Sequence, residues 1–205
     1  MSTPSVPNFT LNQPAAGYRF SQDSFLLAGF FRWTQDGPLA DLCAGAGAVS
    51  IPIGAVYPQK TIVAVELDPE MACMTRQNAA ASGLAGYTVV AADVMTAGSM
   101  FKGRPFAHVV SNPPYRKLGS GRLCHDPKKT MARHETRMTL AGLVAAASRM
   151  LRPGGTFSII MIMERREEHL SLLSESGFGE VRFQPAPHQA STPARLFLSE
   201  AILGR

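Results

Sequence analysis

The sequence predicts a doubly wound α/β fold, in which helices cover both faces of a mostly parallel sheet. Short apolar runs of strand length, LADLCA, TIVAVEL, YTVVAAD and AHVVSN, alternate with segments that carry helix signals. A glycine turn, GAG, follows the first run. Parallel neighbours need a crossover connection, which is usually a helix, so this alternation is typical of that fold class.

Capping signals place the first helices. Ser21 is a predicted N-cap with Asp23 in the first turn, and the apolar block FLLAGFFRW follows. A second helix is predicted over AVSIPIGAVY. In the third, Asp68 is the predicted cap, Pro69 lies in the first turn and Gly83 ends the helix.

The last third of the chain continues the pattern. Apolar residues recur at helical spacing between Leu140 and Leu151, and RPGG is predicted to turn the chain into the strand TFSIIMIM. A helix near 164–176 and two final strands follow. Because a Pro-rich loop separates those two strands, they are predicted to pair antiparallel, which makes the last strand of the sheet antiparallel.

Composition favours one compact domain. The chain has 205 residues and 45% hydrophobic residues, enough for a single core, and we expect one domain over 1–205 with an N-terminal extension over 1–35. Three widely spaced cysteines predict neither disulfides nor a metal site. The N-terminus lacks a signal-peptide pattern, and no apolar run approaches the ~20 residues of a membrane span. We therefore expect a cytoplasmic monomer with no metal and no membrane partner.

Positive charge is concentrated in one segment. Residues 116–137 contain seven Lys or Arg and two acidic residues, a net charge of +5, which equals the net charge of the whole chain. A local positive field attracts phosphates, although a charged run is also typical of an ordinary solvated loop. We expect this basic loop to bind a substrate through Arg116, Lys117, Lys128, Lys129, Arg133 and His134.

Acidic residues and a glycine turn predict a nucleoside pocket. Glu66 ends the second strand 21 residues after Gly45, where it can accept hydrogen bonds from ribose hydroxyls, and Asp93 ends the third strand. Three acids suit a nucleoside that bears a cation, such as S-adenosylmethionine. Asp93 can equally be a helix cap, and Asp41 can equally organise the turn. The predicted cofactor-binding residues are Asp41, Cys43, Gly45, Gly47, Glu66, Leu67, Asp93 and Asn112.

The tetrapeptide Asn-Pro-Pro-Tyr ends the fourth strand at 112–115. An amine on a planar base is a poor nucleophile, because its lone pair is delocalised. Asn112 can accept one N–H through its side-chain oxygen, and the carbonyl of Pro113 can accept the other. Pro114 restricts the backbone, and Tyr115 offers a face on which a flipped base can stack. These four residues are the predicted catalytic residues.

These motifs resemble the class I S-adenosylmethionine-dependent methyltransferases. More narrowly, QPAAGYRFSQDSFLLAGF, DLCAGAG, SNPPY and ARHE resemble the bacterial tRNA1(Val) adenine-N6 methyltransferase family. The resemblance implies a Rossmann-like fold, S-adenosylmethionine as cofactor, tRNA as partner, and a target pocket formed by residues 112–115. It also implies that Gly17, Tyr18 and Arg19 belong to a lid over the cofactor.

Three alternatives remain open at this stage. Protein glutamine-N5 methyltransferases use the same tetrapeptide on an amide, but usually carry an extra N-terminal helical domain. DNA methyltransferases generally add a base-reading domain, for which 205 residues leave little room. An RNA-binding module without chemistry is disfavoured by the intact tetrapeptide and the acidic residues.

Overall fold

A seven-stranded sheet is the centre of the computed structural model, which describes residues 8–14, 22–101, 103, 105–114, 138–186 and 194–204. The strand order is β3-β2-β1-β4-β5-β7-β6. The strands are β1 (Leu39–Leu42), β2 (Ile62–Glu66), β3 (Tyr87–Ala91), β4 (Phe106–Ser111), β5 (Leu151–Ile162), β6 (Phe178–Ala186) and β7 (Leu196–Leu203).

The sheet is mixed, as the sequence predicts. Strands β1 to β5 pair in parallel, and β7 runs antiparallel to both β5 and β6. The chain winds outward from β1 to β3 and then returns to place β4 on the other side of β1. The order of the strands therefore reverses between β1 and β4, and ligands of such sheets bind outside the carboxyl ends of the strands at that point.

The helices begin and end where local chemistry allows. Asp68 accepts hydrogen bonds from the backbone of the first turn of α3, Pro69 begins that helix, and Gly83 takes a left-handed φ of 69° just beyond it, which confirms all three predictions. The cap predicted at Ser21 lies outside the described residues. The helices are α1 (Gln22–Phe30), α2 (Ser50–Val56), α3 (Pro69–Ala81), α4 (Val94–Met100), α5 (Leu140–Met150) and α6 (Arg166–Glu175).

The RPGG segment interrupts the fifth strand. β5 begins earlier than predicted, at Leu151 beside Phe106, but its next paired residue is Thr156 beside His108, so residues 152–155 have no partner in the pairing with β4. Gly154 has a φ of 79°, and a Cβ on Gly155 would approach the Arg152 carbonyl oxygen to 2.9 Å. Regular pairing of β5 therefore starts at Thr156, the first residue of the predicted strand TFSIIMIM.

Two apolar clusters hold the helices on opposite faces of the sheet. One cluster contains residues of α4, α5 and α6 against the sheet, and the other contains residues of α1 and α2. Right-handed crossovers explain the division, because the outward and return windings of the chain place their helices on opposite faces. The first helix is anchored at its C-terminal end, where Arg182 donates to the Phe30 carbonyl at 2.6 Å and its guanidinium lies 3.7 Å from the Phe30 ring centroid.

Candidate active site

Four features from separate parts of the chain lie in a row along one edge of the sheet. Asp93 follows β3, Glu66 ends β2, the glycine turn follows β1 and Asn112 follows β4. Parallel strands end at the same edge, and neighbours are about 4.8 Å apart, so three strand spacings make the row about 14 Å long. An extended ligand can therefore contact all four features.

A pocket opens at the reversal point between β1 and β4. Its volume is about 350 Å³ when the open solvent at its mouth is included. Gly45 has a φ of 56°, and a Cβ added there would meet nothing within 4 Å, so the turn leaves open space on this side. The lining residues are Gln13, Pro14, Ser24, Cys43, Ala44, Gly45, Ala46, Ala48, Val49, Met71 and Asn112.

The second glycine of the turn is closely packed. A Cβ on Gly47 would lie 2.5 Å from Cδ1 of Ile51 and 3.2 Å from Cγ2 of Thr75. Gly47 must therefore be small because α2 and α3 pack closely around it. Like Glu66, Leu67 and Asp93, it is not among the residues that line the pocket, and its predicted cofactor contact stays a prediction.

Cys43 sits at the start of the turn in a strained conformation. Its φ of 65° lies in the left-handed region, which residues with a Cβ rarely adopt. The backbone N–H groups of Cys43 and Ala44 both donate to the Val65 carbonyl, at 3.0 and 3.1 Å, and hold the turn against β2. Its thiol lies 3.3 Å from the sulfur of Met138. Cys43 lines the pocket, in keeping with its predicted place in the site.

Glu66 connects the turn to the second strand. One carboxylate oxygen accepts from the Gly45 N–H at 2.7 Å and the other from the Asp68 N–H at 2.9 Å. Burial raises the pKa of Glu66, and these two N–H donors partly offset the effect. Each carboxylate oxygen has a second lone pair, so Glu66 can still accept hydroxyl groups of a ligand.

The two remaining predicted adenosine contacts differ in exposure. Leu67 follows Glu66 and is 48% exposed, which leaves an apolar side chain at the edge of the row. Asp93 caps α4 through one oxygen, which accepts from the Met95 N–H at 2.8 Å. The helix cap that the sequence left open is thus present, and a carboxylate with two oxygens can cap a helix and also accept from a ligand.

Asp41 is not part of the pocket surface. Its side chain is fully buried, and one oxygen accepts from the Ser50 hydroxyl at 2.5 Å. Ser50 also lies 2.6 Å from the Tyr87 hydroxyl; because a hydroxyl has a single proton, Tyr87 donates to Ser50. Of the two roles left open for Asp41, the structure supports organising the turn, because a fully buried carboxylate cannot reach a ligand.

The complete burial of the Asp41 carboxylate predicts that the stability of the protein depends on pH. Burial raises its pKa from 3.8 to about 7, with the Ser50 hydrogen bond opposing the shift. Between about pH 4 and 7 the folded protein then holds a proton that the unfolded chain has released, so stability falls as pH rises, with a slope of at most about 1.4 kcal/mol per pH unit. In urea denaturation, Asp41→Asn should therefore gain stability relative to the unaltered protein as pH rises, with no further gain above about 7.

The comparison between the two proteins isolates Asp41. Burial lowers the pKa of His169 to about 4, which acts in the opposite sense, but this effect is common to both proteins and cancels. A stability difference that stays constant from about pH 4 to 8 would contradict the assignment.

Asn112 is held by the first helix. Its side-chain nitrogen donates to the Ser24 hydroxyl oxygen at 2.9 Å, and Ser24 is only 4% exposed. An amide oxygen has two lone pairs, so the carbonyl oxygen of Asn112 can accept a hydrogen bond from a ligand in addition to any partner within the chain. Within the described part of the chain the Pro113 carbonyl accepts no hydrogen bond. Both predicted acceptors therefore lie at the end of β4 beside the pocket.

A family comparison agrees with this geometry. The family model of the methyltransferase small domain matches residues 17–185. The chain belongs to this family. That match includes the glycine turn, Glu66, Asp93 and the Asn-Pro-Pro-Tyr segment, and it supports S-adenosylmethionine as the cofactor expected from the sequence.

Curated relatives of this methyltransferase small domain include tRNA-modifying enzymes. A tRNA1(Val) (adenine(37)-N6)-methyltransferase of Porphyromonas gingivalis is 30% identical over 80% of the chain. The chain spans 66% of that relative, just under two thirds of its length. A release factor glutamine methyltransferase of Deinococcus radiodurans is 36% identical, but the match covers 56% of this chain and 42% of the relative.

Solved structures confirm the Rossmann-like methyltransferase fold. A predicted O-methyltransferase of Agrobacterium tumefaciens superimposes with a TM-score of 0.68 and 24% identity, over 89% of this chain and 81% of that one. At this identity the likeness shows the fold alone.

Several predicted site residues of this methyltransferase small domain lie outside the described residues. They are Tyr115, Arg116, Lys117, Lys128, Lys129, Arg133 and His134, together with the predicted lid residues Gly17, Tyr18 and Arg19. Among the described residues, no helix is long and apolar enough to cross a membrane. In the same part of the chain, no group of three or more His, Cys, Asp or Glu side chains is placed to hold a metal ion.

Eight residues that line the pocket are absent from the predicted site residues. Gln13 and Pro14 line it from the N-terminal segment, Ser24 from α1 and Met71 from α3, and the others are Ala44, Ala46, Ala48 and Val49 in and after the glycine turn. Gln13, Pro14 and Ser24 lie in the segment QPAAGYRFSQDSFLLAGF that carries the family resemblance, and this segment was the available signal. Met71 belongs to no such motif, and only the structure places it on the same face of α3 as Thr75, whose hydroxyl reaches the Gly45 carbonyl oxygen.

Proposed function

We propose that this protein is an S-adenosylmethionine-dependent methyltransferase that methylates the exocyclic N6 amine of an adenine in tRNA. The observation that carries the proposal is the Asn112 amide, which lines the pocket with its donor end on Ser24 and its carbonyl oxygen able to accept. Family membership and the relatives named for adenine-N6 methylation of tRNA support it.

The chain's residues would align the substrate rather than ionise it. Asn112 and the Pro113 carbonyl would accept the two amine N–H groups, so that the nitrogen lone pair points along the row of strand ends. When bound, S-adenosylmethionine would supply the methyl group from its positively charged sulfur and would be left as a neutral thioether. The amine nitrogen held by Asn112 and Pro113 would gain the methyl group and lose one proton to water. No metal is needed for this step.

The cofactor would lie along the same row. Glu66 would accept from the ribose hydroxyls, Asp93 from the adenine amine, and the open side of Gly45 would admit the ligand close to the backbone. Tyr115 would stack on the flipped target base, a contact worth roughly 1–3 kcal/mol in single-stranded nucleic-acid sites.

Charge supports a nucleic-acid substrate over a protein. The segment 116–137 carries a net charge of +5 directly after the catalytic tetrapeptide. Phosphates bind such a segment through counterion release, which gives affinity without sequence readout. We propose that it forms the tRNA-binding loop of a single-domain, monomeric enzyme, and that the enzyme works in the cytoplasm, where tRNA is modified.

Nucleoside mass spectrometry tests the proposal. The purified chain would be incubated with isotopically labelled S-adenosylmethionine and with total tRNA lacking modifications, and in parallel with a peptide-release factor. We expect labelled N6-methyladenosine in the tRNA and no label in the release factor. Asn112→Ala, purified in the same way, serves as the control for contaminating activity.

The glutamine alternative has its own outcome. Its support is the 36% identical release factor glutamine methyltransferase. Label only in a glutamine of the release factor, with tRNA inert, would replace the tRNA proposal. Binding of the cofactor without transfer to either substrate would refute both.

A further inference from the structure

One face of α3 is turned toward the glycine turn and carries a stripe of side chains at positions 71, 75, 78 and 82. Their spacing of four, three and four residues places them on a single helix face. Thr75 and Asn78 are fully buried, although both are polar. These two buried polar side chains make hydrogen bonds to backbone carbonyl groups: Thr75 to Gly45, and Asn78 to Ala46 and Asn12.

Asn78 uses its amide to join two segments that are distant in sequence. Its side-chain nitrogen donates to the Ala46 carbonyl in the glycine turn at 3.0 Å and to the Asn12 carbonyl at 2.9 Å. Its side-chain oxygen accepts from the Asn12 N–H, also at 2.9 Å. The pair with Asn12 is reciprocal, like a pair of hydrogen bonds between neighbouring strands.

Ser82, directly after α3, makes a similar reciprocal pair with Thr10, two residues before Asn12. Its hydroxyl oxygen accepts from the Thr10 N–H at 2.9 Å and donates to the Thr10 carbonyl at 3.2 Å. Alternate residues of an extended segment present their backbone groups on the same side, so residues 9–14, hereafter the N-terminal strap, lie extended along α3. Phe9 of the strap also stacks on Phe25 of α1, with ring centroids 6.4 Å apart.

The strap ends at the pocket. Gln13 and Pro14 directly follow Asn12 and line the pocket with Gly45 and Met71. Because Asn78 bonds the glycine turn and the strap at once, displacing the strap would leave a buried amide with two lost hydrogen bonds. The Asn78 side chain therefore holds both the glycine turn and the strap in place.

We propose that the N-terminal strap is a wall of the cofactor pocket and that Asn78 is the positioning residue that couples it to the glycine turn. The inference rests on the proposed cofactor but not on the proposed tRNA substrate. A ligand that contacts both the strap and the glycine turn binds only when Asn78 holds the two together. Loosening the strap therefore weakens ligand binding, and a bound ligand in turn slows the opening of the strap.

Calorimetric titration with S-adenosylhomocysteine, on full-length variants, tests the coupling. Asn12→Pro removes the N–H that Asn78 accepts while leaving the Asn78 bond to Ala46 intact. We expect its Kd to rise about tenfold to a hundredfold, the loss typical of one buried hydrogen bond. The Kd of Asn78→Ala should rise by at least the same factor. Asn8→Pro, at an exposed position just before the strap, is the matched control and should change Kd by less than about twofold.

Hydrogen exchange gives a readout independent of catalysis. S-adenosylhomocysteine should slow exchange of the Thr10 amide in the unaltered protein and have little effect on it in Asn12→Pro. If the unaltered protein binds the ligand but Asn12→Pro binds it equally well and the strap gains no protection, the inference is overturned while the cofactor proposal stands. If the unaltered protein binds no S-adenosylhomocysteine, both the inference about the strap and the cofactor proposal are refuted. Should Asn78→Ala fail to fold, Asn12→Pro decides the question.

Discussion

Replacing Asn112 with alanine is expected to lower kcat for methyl transfer at least about a hundredfold, while the affinity for S-adenosylhomocysteine stays within about threefold. The side-chain oxygen of Asn112 is one of two proposed acceptors that aim the amine lone pair, and methyl transfer fails without that alignment. The proposed cofactor contacts after β1 and at the end of β2 are left in place by the change. Single-turnover rates and calorimetry, measured on the same protein, check both parts.

Two serine variants separate alignment from folding. Ser24→Ala removes only the acceptor of the Asn112 amide, so it should lower kcat by about threefold to tenfold, the worth of one hydrogen bond. Ser111→Ala is the matched control, since it removes a buried hydroxyl one residue before Asn112 whose hydrogen bond goes to the Leu42 carbonyl instead. It should lose stability but keep its turnover. Loss of cofactor affinity with turnover retained in Asn112→Ala would reverse the proposed roles.

Glu66→Gln is expected to weaken cofactor binding by about tenfold to a hundredfold, the loss typical of a hydrogen bond to a charged group. The glutamine side chain has one acceptor oxygen, whereas Glu66 uses both of its oxygens to receive N–H groups from Gly45 and Asp68. The amide nitrogen would therefore face an N–H, and the turn would lose one of its supports as well as a ribose acceptor. Calorimetric titration with S-adenosylhomocysteine measures the change.

Asp68→Asn provides a control for the charge alone. It removes a carboxylate two residues from Glu66, but asparagine is also a good N-cap for α3. Its Kd should stay within about twofold of the unaltered protein. Equal affinities for Glu66→Gln, Asp68→Asn and the unaltered protein would remove Glu66 from the site.

Most of the fold could be predicted from local patterns, because strands, caps and turns depend on neighbouring residues. Asp68, Pro69 and Gly83 act where the sequence places them. At RPGG the local pattern predicts part of the result: regular pairing starts at Thr156, directly after the glycines, but the pairing of Leu151 with Phe106 begins β5 before them. Tertiary pairing decides where the strand begins.

In the candidate site, too, some features depend on contiguous residues and others on contacts between distant segments. By itself the sequence determined the family, the order of the strands along the chain, every helix except α4, and that Glu66, Asp93 and Asn112 lie at strand ends, because these features depend on contiguous residues. Only the tertiary structure decided that Asp41 is buried, that Ser24 holds Asn112 across 88 residues of sequence, and that Asn78 joins Asn12 across 66. Burial and hydrogen-bond partners depend on which distant segments pack together, and no local pattern carries that information.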